Sequence, residues 1–283
     1  MTLLAALSPN LGKLEESECI GREMLTMHER AYGMDSEETV AVISMLASVL
    51  ARRGKYGEGN GLLLRELEAN ERLLGVFDDN TRTILVELMG RALSEGSFED
   101  AEAPCYWLVG IKNHVDGKEN PDTLTTLNQL GEILQHLGKL QEAEVVSRQA
   151  FEGRTKVLGE HHVDTLISSN DLAVVQRFLG QDKDAEILYK TTITKAEKAL
   201  GVCHPLTLLC LENLTELLIF RSQWTEAENT SRRILEVSEN MPNADNVRTI
   251  NALGHLVQAL RQQAKYVEAE EVGIQAVKNA SKL

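Results

Sequence analysis

Glu132 and His136 lie four residues apart in TLNQLGEILQH, so a helix there places a carboxylate and an imidazole on one face. Side chains so placed can act together as acid and base, and Asp171 or His255 could complete such a site. The same spacing is also that of an ordinary exposed i,i+4 pair, and this is the favoured reading. A second set, His161, His162, Cys203 and His204, offers metal-ligating side chains, with His162 and His204 at matching places in two loops. No CxxC or HxxxH spacing accompanies them, so no metal is expected. The chain has no glycine-rich phosphate loop, no GxSxG and no HExxH. The sequence therefore assigns no catalytic residue, no metal ligand and no cofactor.

The elements that would carry these residues repeat every 42 positions. Thr39, Thr81, Thr123, Thr165, Thr207 and Thr249 fall on that period, as do Leu46, Leu88, Leu130, Leu172, Leu214 and Leu256. A fixed period in the range of about 20–50 residues marks a solenoid. In the best-formed copy, Leu124, Leu127, Leu130 and Leu134 give one apolar helical face over roughly 123–136, with Asp122 and Thr123 at the expected N-cap. Gly138 follows where a left-handed residue is cheapest. A second helix is expected from about Gln141 to Leu158, with Ala143, Val146, Ala150 and Val157 inward and Gly159 at its end. The chain then reads as a single domain over 1–283: a truncated copy at 1–38, and copies at 39–80, 81–122, 123–164, 165–206, 207–248 and 249–283.

Some copies are irregular. Gly57, Gly59 and Gly61 crowd one second helix, and Pro104 should kink or delay the next. Ser222 and Ala264 replace the turn glycine in the last two copies. The N-terminal half is expected to be the softer one. Val267, Val272, Ile274 and Val277 lie on a last helix with no following repeat, which suggests a homo-oligomer through the solenoid ends.

Basic side chains number 29 and acidic ones 43, leaving −14, which argues against nucleic acid and for basic or neutral partners. Aromatic content is only 4%, so aliphatic side chains must do the packing. The four cysteines form no CxxC pair, and reduced intracellular thiols are the default. No 18-residue apolar stretch is present, so no membrane insertion is expected, and the opening residues lack the basic start of a secretory signal. Ser281-Lys282-Leu283 would be a peroxisomal address if Leu283 is the natural end. A basic residue followed by an apolar one is also the repeat's own pattern, and otherwise the location is cytoplasmic.

Counted from Leu124, Leu130 is the seventh position, Gly131 the eighth, Ala143 the twentieth and Ala150 the twenty-seventh. This pattern resembles the tetratricopeptide repeat. The 42-residue period, with the loops GEHHVDT (159–165) and GVCHPLT (201–207), resembles the long repeats of kinesin light chain and of fungal nephrocystin-like proteins. The resemblance implies an all-α, right-handed α-solenoid of helix-turn-helix repeats, and loop-packing roles for His162 and His204. It also implies that the first helix of each repeat lines a concave groove. Copies 39–80 and 81–122 offer small, bland residues there. Later copies offer Asn128, Glu132 and His136, then Asn170, Asp171, Arg177 and Phe178, then Glu212, Asn213, Glu216 and Phe220, then Asn251, His255 and Arg261. Asn128 and Asn170 match in position and Asn213 is displaced by one, so a ladder of amides could hold an extended peptide's backbone. Phe178 and Phe220 could make an apolar floor, Arg177 could pair a carboxylate, and the acids would favour a basic group. The favoured function is a non-catalytic scaffold for a peptide or protein partner. The alternative is an enzyme or accessory protein of a fungal-type biosynthetic pathway with a small molecule in the same groove.

Overall fold

The structure, a computed structural model, describes residues 14–239 and 246–280. Ser281-Lys282-Leu283 and the start of the truncated copy lie outside the described residues. Among the described residues there are thirteen α-helices and no strand. They fall into two compact units, one ending at Lys118 and one beginning at Glu119. The first unit holds α1 (Leu14–Tyr32), α2 (Glu37–Arg52), α3 (Tyr56–Leu73), α4 (Asp79–Ser94) and α5 (Phe98–Val115). The second holds α6 (Pro121–His136), α7 (Leu140–Leu158), α8 (Val163–Phe178), α9 (Asp182–Leu200), α10 (Pro205–Phe220), α11 (Trp224–Glu239), α12 (Asn246–Gln262) and α13 (Tyr266–Ala280). Within each unit every helix packs on the one before and the one after, as stacked hairpins of an all-α solenoid do.

The period is kept by the backbone. Among the described residues two kinds of left-handed turn recur. One sits between the helices of a copy, at Gly54, Gly96, Gly138 and Gly180, with φ between 72 and 74°. The other follows the second helix, at Gly33, Gly75, Gly117, Gly159 and Gly201. Where the first kind of glycine is replaced, the turn persists: Ser222 takes φ 57° and Ala264 φ 59°. A side chain at such a φ crowds its own carbonyl, which costs roughly 1–2 kcal/mol.

The first helices α2, α4, α6, α8 and α10 begin two residues earlier than Thr123 and its equivalents predict. Pro121 opens α6, since proline's fixed φ suits the first turn and its missing N–H is not needed there. The cap is therefore Asn120, whose side chain accepts from the Asp122 amide at 2.8 Å. Ser36 and Asp78 do the same for α2 and α4. His162 and His204 occupy this position too, each Nδ1 accepting from the amide two residues on at 3.2 Å. They are helix caps, a more specific role than loop packing. Three of the periodic threonines fasten the preceding loop instead: the hydroxyls of Thr39, Thr81 and Thr207 donate to the carbonyls of Gly33, Gly75 and Gly201, while those of Thr123, Thr165 and Thr249 have no hydrogen-bond partner among the described residues.

Other expectations shift in detail. Val157 is exposed, and the inward face of α7 carries Ser147 and Arg154 beside Ala143 and Ala150. Pro104 sits inside α5 without delaying its start. Gly57, Gly59 and Gly61 do not break α3. Gly131 is needed for close approach, because a Cβ there would meet the Ser147 hydroxyl. On α13, Val267, Ile274 and Val277 stand exposed.

Candidate functional site

In the second unit the first helices α6, α8, α10 and α12 lie side by side. The polar residues predicted on them form a lateral network. Asn128 Nδ2 donates to Asp171 Oδ2 at 2.8 Å, and Asn128 Oδ1 accepts from the Ser168 hydroxyl at 2.8 Å. Asn170 Oδ1 accepts from Asn213 Nδ2 at 2.9 Å, and Asn170 Nδ2 reaches Asp171 Oδ1 at 3.4 Å. Asn128 and Asn170 are buried, 7% and 3% exposed, so their amides join helix to helix. Both lateral bonds connect residues 43 apart. That offset explains why Asn213 sits one position beyond the strict period: it faces Asn170 across the seam.

Beneath the network lies a residue the sequence reading missed. Arg154, on α7, is only 4% exposed. Its guanidinium donates to Ser168 Oγ at 2.7 Å, to the Asp164 carbonyl at 3.0 Å and to Thr125 Oγ1 at 3.0 Å. The signal was present, since Arg154 continues the inward spacing Ala143, Ser147, Ala150. Burial lowers the guanidinium's hold on its proton, and nearby Asp164, Asp171 and Glu132 oppose that. Burial raises Asp171, with the Asn128 and Asn170 amides holding it back. Glu132 is pushed up to about 7 by desolvation and by the Asp171 charge. Its side chain remains open to solvent. The charges bearing on Glu132 are thus Asp171 and Arg154.

The outer part of the row is solvent-facing. Arg177 bonds Glu216 at 2.7 Å and stacks over the Phe178 ring, 5.2 Å from its centre. Phe178 is 53% exposed and Phe220 74%. Glu212 pairs with Arg248 at 2.5 Å. His255 is half-buried, its Nδ1 has no hydrogen-bond partner, and burial lowers its pKa against the pull of Glu216. Asn251, Arg261 and His136 are exposed. Among the described residues no group of three His, Cys, Asp or Glu side chains is placed to hold a metal. Burial pushes the Cys105 and Cys210 thiols up to about 12, which keeps them protonated. Among the described residues no helix is long and apolar enough to cross a membrane.

Residues 122–198 match the tetratricopeptide repeat family model. They span α6 to α9, the two hairpins that hold Asn128, Arg154, Asn170 and Arg177. No curated protein matches the chain in sequence. Among solved structures, a kinesin-light-chain-type protein of Podosopora anserina with nearly identical TPR-like repeats is 22% identical, with a TM-score of 0.62 over 70% of this chain and 94% of that one. BtubC (BKLC) from P. vanneervenii is 15% identical, with a TM-score of 0.53 over 95% and 91%. Aspartyl phosphate phosphatase F from Bacillus subtilis is 16% identical, with a TM-score of 0.59 over 95% of this chain and 70% of that one. At these identities the shared property is the fold.

Proposed function

We propose that this chain of tetratricopeptide repeats is a non-catalytic scaffold that binds an extended peptide or protein segment along α6, α8, α10 and α12. The observation that carries the reading is the pair Phe178 and Phe220, exposed on adjacent first helices. Rings open to solvent suit an open trough better than a closed small-molecule pocket. The buried amides of Asn128 and Asn170 support the wall, and the groups that meet a partner are Arg177, Phe178, Asn213, Glu216 and Phe220. Asn251, His255 and Arg261 continue the row on α12. Glu132, Asp171, Glu212 and Glu216 outnumber Arg177, Arg248 and Arg261 along it, which favours a basic or neutral segment.

The test is an immobilised library of random 12-residue peptides, probed with wild-type protein and with the double variant Phe178→Ser, Phe220→Ser. Fully burying an aromatic ring is worth roughly 1.5–3 kcal/mol, so the double variant should bind selected peptides at least about tenfold more weakly. Both positions are exposed, so the helical circular dichroism should not change. Selected peptides should be lysine- or arginine-rich, or neutral, and the basic ones should bind less well as salt is raised. Equal affinity of the variant at unchanged helicity would falsify the groove.

A further inference from the structure

Helix α13 packs on α12, and among the described residues no later helix covers it. Val267, Glu270, Ile274 and Val277 follow one another at helical spacing, so they form one stripe along α13. All four are exposed, Val267 to 76% and Val277 to 70%.

Earlier second helices show what such a stripe meets. Glu18, Glu144, Glu186 and Glu228 stand whole periods before Glu270. Each accepts from the turn that follows the next first helix. Glu18 accepts from Arg53 and, at 2.8 Å, from Lys55. Glu144 accepts from Gln181 at 3.3 Å, and Glu186 from Arg221. Glu228 accepts from Gln263 at 2.8 Å and from Lys265 at 2.7 Å. Glu270 makes no hydrogen bond or ion pair among the described residues. Val277 also continues a column. Leu67, Val109 and Ile193 are buried there, and Leu25, Phe151 and Leu235 are half-buried. Leu25 shows the contact: it packs against a cluster that holds Val42 and Val49 of α2, beside Met45. The stripe on α13 therefore lacks a cation for Glu270 and an apolar face for Val277.

Two copies of α13 do not supply these to each other. A twofold pairing would set Glu270 and Glu271 of one copy against the same acids of the next, and like charges so placed repel. The beginning of the chain carries the complementary chemistry in its sequence. Gly12-Lys13 stands one period before Gly54-Lys55. Lys13 thus holds the place from which Lys55 reaches Glu18 and Lys265 reaches Glu228. Leu3 and Leu7 stand one period before Met45 and Val49, which belong to the packing around Leu25.

We infer that α13 is an assembly surface whose occupant is residues 1–13 of a second copy of this chain, with Lys13 on Glu270 and Leu3 and Leu7 on Val277. The contact joins tail to head, so it is heterologous and leaves each assembled pair with one free surface of each kind. It lies on a second helix and does not depend on the first-helix row.

The experiment is sedimentation velocity on the full chain, from a few micromolar to about 0.5 mM. Wild type should rise from one chain, 31.4 kDa, to beyond two chains as concentration increases. Val277→Glu, Glu270→Lys and Lys13→Glu should each weaken association at least about tenfold. Val277 and Glu270 are exposed, so their variants should keep the helical circular dichroism and thermal midpoint of wild type. Glu270→Lys combined with Lys13→Glu restores opposite charges and should bring association back to within about threefold of wild type. A mass of one chain at every concentration overturns the inference. So does growth that stops at two chains and ignores Lys13→Glu, the signature of twofold α13 pairing. A charge swap that recovers nothing over the single variants overturns it as well.

Discussion

In the unit that begins at Glu119, a buried cation sits among oxygens that satisfy it: Arg154 reaches Ser168, Thr125 and the Asp164 carbonyl. In the unit that ends at Lys118, a buried carboxyl is poorly served. Glu66 is 7% exposed and its Oε2 has no partner, while Arg91 nearby leaves Nη1 unpartnered. The helical plan is the same, and each substitution puts a charge where a copy elsewhere carries an apolar or small residue. Glu66 corresponds to Leu108 and Ala150, and Arg154 to Ala196. The difference teaches that this repeat accepts a polar group in its interior by surrounding it with short hydroxyls and freed carbonyls. Where those are missing, the group gives up its charge instead.

The largest expected effect comes from breaking the satisfied side of this comparison. Arg154→Ala removes the cation that offsets Asp171 and Glu132 and leaves Ser168 and Thr125 short of a donor. Breaking a buried charge network of this kind costs roughly 3–5 kcal/mol. Urea unfolding should show a loss of about 3 kcal/mol, and hydrogen exchange should show it in α6 to α9. A loss below about 1 kcal/mol would mean that Arg154 is not integral to the wall.

Next in size is the pH dependence of the poorly served carboxyl. Desolvation pushes Glu66 up to about 7 from an ordinary 4.5, with the Glu87 charge adding to it and the Ser44 hydroxyl and Arg91 opposing. The folded chain therefore holds a proton that the unfolded chain releases between those values. The contribution of Glu66 is full below about pH 4.5 and is lost as pH rises to about 7, by up to ~3 kcal/mol at roughly 1.4 kcal/mol per pH unit. Glu66→Gln should flatten this slope and make the protein more stable than wild type at pH 8. Glu132→Gln is the matched control: its carboxyl is raised as well but open to solvent, so its slope should be much shallower. Equal slopes for wild type and Glu66→Gln between pH 4.5 and 7 would refute the assignment.

The repeat itself was legible because threonine, leucine and glycine recur at fixed places, and backbone geometry follows from those directly. The helix starts were misplaced by two residues because Pro121 and the asparagine before it carry the cap, while Thr123 looks like one and instead has its equivalents tie the loop. The lateral bonds were out of reach for a different reason. A periodic reading compares residues 42 apart, yet neighbouring first helices meet 43 apart, so Asn213 looked displaced when it is the partner of Asn170. Arg154 lay hidden because a groove read from first helices leaves out what the second helices push up from below. Gln176 stood in the sequence as a single amide in a column of four leucines and an alanine, and only the structure shows that it is buried with its Oε1 unmet.

The smallest effects concern the glycines, and they sharpen the contrast between the units. Glycine in a helix interior costs roughly 1 kcal/mol relative to alanine. A Cβ at Gly57 or Gly61 would stand in open space, whereas at Gly59 it would press on the Ala47 carbonyl at 3.3 Å and on Arg91 Nη1 at 3.1 Å. Gly57→Ala and Gly61→Ala should each stabilise by about 0.5–1 kcal/mol, and Gly59→Ala should not. In the other unit the need is reversed. Ser222 and Ala264 hold left-handed turns, so Ser222→Gly and Ala264→Gly should each gain about 0.5 kcal/mol after the entropy of the freer unfolded chain is set against the relieved strain. Wild-type hydrogen exchange should show α2 to α5 opening more readily than α6 to α10. Combining the two alanines should narrow that gap, and combining the two glycines should widen it. Uniform protection across both units in the wild type would remove the softness that the alanines are meant to correct.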